Sequence, residues 1–160
     1  MIVCDTSPLL ILAKVGRLWL LTTLYGAVEI PTAVLDEVNV RERPDAEAIR
    51  QWRHTQDVPV REPLDASLDS FSAELGDGER VALALAMERD ADLVVLDDQE
   101  GRRVAKRRGL NVTGTIGVLV EARADGYIDS LRQELDRVVE AGFWISESFY
   151  ERPLQEFGES

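Results

Sequence analysis

The chain reads as a three-layer α/β/α protein with a mostly parallel central sheet of about four to five strands. Two observations lead there. Short apolar runs at 2–4, 27–30, 93–96 and 110–112 are each followed by a helical stretch, and strands that alternate with helices pair in parallel with helices on both faces. At 160 residues, 45% of them hydrophobic and 30% charged, the chain has the balance and length of one globular domain with a real core. We therefore expect a single domain over 1–160, with about 143–160 as a C-terminal helical extension.

The elements follow in order. The apolar run 2–4 is a buried strand, and Asp5, Thr6, Ser7 and Pro8 lead into a helix that either Thr6 or Ser7 caps. A second helical stretch covers about 17–24, and the short strand 27–30 ends at Pro31, which opens the helix TAVLDEV with Val34, Leu35 and Val38 inward. Residues 39–66 are the least regular: a helix at 45–54, an edge strand near 58–61, and three prolines suggest a mobile or partner-contacting arm. A short helix at 67–74 precedes Gly76-Asp77-Gly78, with Asp77 as the N-cap of the Ala- and Leu-rich helix 79–89. The clearest strand, 93–96, ends in Asp97-Asp98 and is followed by a basic helix, 99–108. After the strand 110–112 come helices at 116–125 and about 129–141, then an aromatic, loosely amphipathic tail.

Several function classes drop out. Cys4 is the single cysteine and His54 the single histidine, so neither an intramolecular disulfide nor a thiolate or imidazole metal cage is available. Cys4 reads as a small buried hydrophobe and His54 as a surface residue. No run nears the roughly 20 apolar residues of a membrane span, and no cleavable leader opens the chain; a cytoplasmic protein is expected. With 30 acidic against 18 basic residues the net charge is −12, so a nucleic acid would have to be gripped locally and not by a broad basic surface.

The acidic positions carry the chemistry. Asp5 ends the first strand, while Asp97 and Asp98 end the strand 93–96, and in a parallel sheet ligands gather at that edge. Glu37 sits at the border of the buried face of its helix, and Glu79 opens the most buried helix at its positive end. Carboxylates crowded together raise one another's pKa unless a cation neutralises them. Oxygen donors without histidine or thiolate point to Mg²⁺ or Mn²⁺. Each acid also has a plainer explanation: Asp5 and the Asp97-Asp98 pair as turn or cap residues, Glu37 as a solvated charge, Glu79 as a dipole partner. Only the set argues for a site.

The helix after Asp97-Asp98 carries Arg102, Arg103, Lys106, Arg107 and Arg108, which would accept a phosphate backbone or simply favour the helix C-terminus. Thr6, Ser7, Thr113 and Thr115 near strand ends would bond a ligand or the carboxylates, or cap helices. A phosphatase using an aspartyl-phosphate would need an aspartate where Ser7 stands. A phosphoacceptor domain would need a lysine at a late strand end, whereas Lys14 and Lys106 both fall in helices.

The motifs VCDTSPLL, PTAVLDEV, LGDGERVALALA and LVVLDDQEGRRVAKRRGLNVTGTIGVL, in this order from residue 2 to about 157, resemble the PIN-domain superfamily. They are most similar to its short bacterial and archaeal members of the toxin–antitoxin type. The resemblance implies a metal-dependent endoribonuclease that leaves a 5′-phosphate and a 3′-hydroxyl, with Asp5, Glu37, Glu79 and Asp97 or Asp98 holding the metal and Thr6, Ser7, Thr115, Arg102 and Arg103 near the RNA. Glu79 stands where many such nucleases have an aspartate. The resemblance also implies a homodimer and a small antitoxin partner. The alternative is a PIN-fold module that binds RNA or a protein without cutting.

Overall fold

The structure is a computed structural model that describes residues 1–40, 43–71 and 75–160. Its elements run β1 (Ile2–Cys4), α1 (Thr6–Lys14), α2 (Trp19–Tyr25), β2 (Val28–Pro31), α3 (Thr32–Asn39), α4 (Arg43–Thr55), β3 (Val60–Arg61), α5 (Asp65–Asp69) and α6 (Asp77–Glu88). They continue through β4 (Leu93–Val95), α7 (Gln99–Arg107), β5 (Val112–Thr113), α8 (Thr115–Ala124), α9 (Leu131–Glu140) and α10 (Glu147–Glu156).

The five strands form one sheet in the order β3-β2-β1-β4-β5, and every pairing is parallel. This is the expected α/β architecture. Strands β1 and β4 are neighbours, with Cys4 opposite Val95. Asp5 and Asp97, the residues just past those ends, therefore leave the sheet at the same edge.

Apolar burial on the two faces fixes that arrangement. One cluster joins Leu9 and Leu12 of α1 to Ile30, Val34, Ile49, Leu119 and Leu135; the other joins Val3 and Val94 to Leu83, Leu85 and Val104. Cys4 is fully buried, as its apolar neighbours suggest. Among the described residues no single helix is long and apolar enough to cross a membrane.

Four local expectations need correction. The region 39–66 is no arm: Ala46, Ile49 and Trp52 of α4 are buried in the main core. The sequence signal misleads because α4 has a highly charged outer face that masks a narrow inner one. Only positions 41–42 of that region lie outside the described residues. The short helix foreseen at 67–74 runs from Asp65 to Asp69, and positions 72–74 lie outside the described residues. Asp77 does not cap its helix but begins it, with Gly76 at the cap. Likewise Asp5, and neither Thr6 nor Ser7, precedes α1, and it makes no side-chain cap bond.

Candidate metal and phosphate site

Among the described residues three acids are buried, and two of them are paired. Glu29 accepts hydrogen bonds from Arg89 at 2.9 and 3.1 Å and faces Arg61 at 2.8 Å. Glu134 is held at both oxygens by Arg17, at 3.1 and 2.7 Å. Asp5 is 4% exposed and has no such cation. Its Oδ1 is inaccessible and without a hydrogen-bond partner. An unmet buried carboxylate oxygen is costly, and a native fold retains one where something else satisfies it or where it has work to do.

The surroundings make ionisation of Asp5 harder still. Burial pushes its carboxyl up to about 7, the Thr6 N–H offsets part of that, and the charges of Glu79, Glu37 and Asp97 add to the rise. Asp5 thus lies in the field of three further acids from α3, α6 and the end of β4. The backbone of α6 closes in on two of them: a Cβ at Gly78 would stand 3.3 Å from Glu37 Oε2 and 3.5 Å from Asp5 Oδ1. Glu79 is the next residue; its Cγ faces Gly101 of α7 and its carboxylate folds back over Gly76.

Hydroxyls orient the outer members of this group. Thr6 Oγ1 donates to Glu37 Oε2 at 2.9 Å. Asp97 accepts from the Thr115 backbone N–H and from Thr115 Oγ1, each at 2.7 Å, and from Ser7 Oγ at 3.4 Å. Thr115 is completely buried, so its hydroxyl is fixed in place by packing as well as by the bond. Of the hydroxyls foreseen near the strand ends, Thr6, Ser7 and Thr115 therefore grip carboxylates, while Thr113 Oγ1 lies against Gly117.

The doubled aspartate separates into two jobs. Asp97 faces the acidic group, whereas Asp98 is exposed and accepts from the Gly101 N–H at 2.7 Å as the N-cap of α7. Of the basic residues, Arg102 reaches over Gly114, its Nη1 only 2.7 Å from where a Cβ there would lie. Arg103 pairs with Glu100 one turn away, and that contact holds the Glu100 carboxyl below its ordinary range.

The donor chemistry suits a hard divalent cation: carboxylate oxygens from four elements, one of them unmet, with no imidazole or thiolate. Among the described residues no three acidic side chains are drawn together tightly enough to enclose an ion. Glu37 and Asp97 are instead turned toward their hydroxyl partners.

Beside Asp97 a groove of about 820 Å³ runs between α7, the start of α8 and the C-terminal segment. Sequence reasoning foresaw its α7 side but not the far wall, where Trp144, Phe149 and Arg152 stand. The aromatic pattern of the tail and the small residues Gly114 and Gly117 were its only signals.

A family model described as a PIN domain matches residues 1–159. No curated protein matches the chain.

Proposed function

Since the chain belongs to the PIN-domain family, a nuclease-type fold, we propose that it is a metal-dependent endoribonuclease whose centre is Asp5, Glu37, Glu79 and Asp97. The observation that carries this is the inaccessible, unpartnered Oδ1 of Asp5 amid three other carboxylates. A structural acid in this molecule is given an arginine, as Glu29 and Glu134 are. This one is given more negative charge.

Mg²⁺ or Mn²⁺ bound there would lower the pKa of a water and brace the charge on a phosphodiester under attack. Asp5 and Glu37, on either side of Gly78, would hold it, with Glu79 and Asp97 completing the ring of negative charge. Thr115 keeps both oxygens of Asp97 occupied and so fixes its orientation. Arg102 supplies positive charge beside Asp97, where a substrate phosphate would lie. Asp98 serves the helix and not the reaction.

Incubation of purified protein with structured RNAs, with and without Mn²⁺, tests this beside Asp5→Asn. Metal-dependent cutting by the parent and none by the variant is expected. Equal cutting by both would refute the assignment. Binding of RNA without any cutting would favour the module, a reading to which the engagement of Glu37 and Asp97 by hydroxyls also lends weight. The resemblance of the four motifs further supports a toxin acting in the cytoplasm as a homodimer and restrained by a small antitoxin.

A further inference from the structure

The groove beside Asp97 combines two features that rarely share a wall. Its α7 side carries Arg102 and Lys106, and Arg152 faces them from α10. Between these cations stand two large aromatic side chains that the fold leaves outside: Trp144 is 81% exposed and Phe149 57% exposed. Arg103 also lines the groove but is engaged by Glu100.

Trp144 is the most exposed aromatic side chain among the described residues, and there neither the core clusters nor an aromatic pair takes it up. Aromatic faces interleaved with cations fit a polymer that alternates flat bases with phosphates. In a duplex the bases are stacked on each other and offer no face, so the match is to a single strand. The net charge of −12 sharpens the point, because cations concentrated here would set a local attractive field on a repulsive molecule.

We propose that this groove is a track for single-stranded RNA, in which an unpaired base stacks on Trp144 and the flanking phosphates rest on Arg102, Lys106 and Arg152. The track rests on the nuclease reading only in that Asp97 forms one of its ends. It would deliver the strand to the acidic centre and bias the enzyme toward unpaired substrates.

The test titrates a ten-nucleotide oligouridylate, and a fully paired RNA hairpin of like length, into the intact protein in Ca²⁺, with tryptophan fluorescence and anisotropy of a labelled RNA as readouts. The single strand should bind and quench, and Trp144→Ala should weaken it by about 5- to 150-fold, the span that loss of one stacked base gives. Trp144→Phe should recover most of that, and Tyr127→Ala, an exposed aromatic outside the groove, should match the parent. In Mn²⁺, the KM for single-stranded RNA should rise in Trp144→Ala more than kcat falls.

Equal affinity of parent and Trp144→Ala would overturn the track even if the parent cuts RNA. So would no binding by the parent, or tight binding of the hairpin that ignores Trp144. Trp144-dependent binding without cutting would keep the track and remove the nuclease reading.

Discussion

Asp5 at the end of β1 and Glu159 at the C-terminal clasp are both carboxylates withdrawn from bulk water, and their treatment by the fold is opposite. Burial pushes Glu159 up, but the Leu131 N–H, the Ser130 hydroxyl, the Arg132 N–H and the Arg123 guanidinium outweigh it and hold the carboxyl at about 2. It ties the start of α9 to the tail. Asp5 has desolvation that the Thr6 N–H offsets only in part, and with the charges of Glu79, Glu37 and Asp97 added it is pushed up to about 7. The structural acid is saturated with donors, and the acid left short of them is the one that the proposed function assigns to a cation.

The largest effect should come from replacing the unsaturated member. Loss of a group that merely supports a metal ligand costs about 10- to 100-fold, so Asp5→Asn should lower metal-dependent RNA cutting by more than about 100-fold in an initial-rate assay. Its folding should respond in the other direction. The folded-state carboxyl titrates above its ordinary 3.8, so its stabilising proton is held fully below that value and lost as pH rises toward about 7. The metal-free parent should therefore lose stability over that window in urea titrations, and Asp5→Asn should flatten the slope. A slope unchanged by the substitution would erase the contrast between the two acids.

Next in size is Thr115→Val. It keeps the shape of a buried side chain but removes the Oγ1 bond to Asp97, and about a 10- to 100-fold loss of cutting is expected with the fold intact by circular dichroism. Activity equal to the parent would mean that the orientation of Asp97 is immaterial.

Glu159→Gln removes the charge from the saturated site, where hydrogen bonds to a charged acceptor are worth about 1.5–3 kcal/mol each. Screening and partial exposure reduce that to about 2 kcal/mol in all, a fall in Tm of about 4–8 °C by calorimetry. For this depressed carboxyl the sign is reversed: the stabilisation stands above the ordinary 4.5 and fades as pH falls toward about 2. The smallest effect is Asp98→Ala, about 1 kcal/mol from the lost cap, with RNA cutting close to that of the parent. Inactivity of this variant would return Asp98 to the reacting group.

The legible and illegible parts of this molecule divide along the same line. Asp5 and Asp97 were readable because β1 and β4 are unmistakable apolar runs, and parallel pairing carries whatever follows them to one edge. Glu37 and Glu79 were readable as acids at the border of buried helix faces. The division of labour between Asp97 and Asp98 was not, since it depends on which side chain meets the Gly101 N–H and which meets Thr115. The role of α4 was misjudged because its inward residues, Ala46, Ile49 and Trp52, are few among charges. The far wall of the groove was hidden for a different reason: α10 reaches it only through tertiary packing of Leu154 into the core and the clasp at Glu159.

Gly78 gives the acidic centre a vulnerability unrelated to charge. One added carbon at that position would press on Glu37 Oε2 at 3.3 Å while meeting Asp5 Oδ1 at an ordinary 3.5 Å, so the Glu37 carboxylate, held by Thr6, would have to give by a few tenths of an ångström. On the nuclease reading, a descendant could thus keep every acid in its sequence and still hold one of them out of place, a change that an inventory of carboxylates would not register.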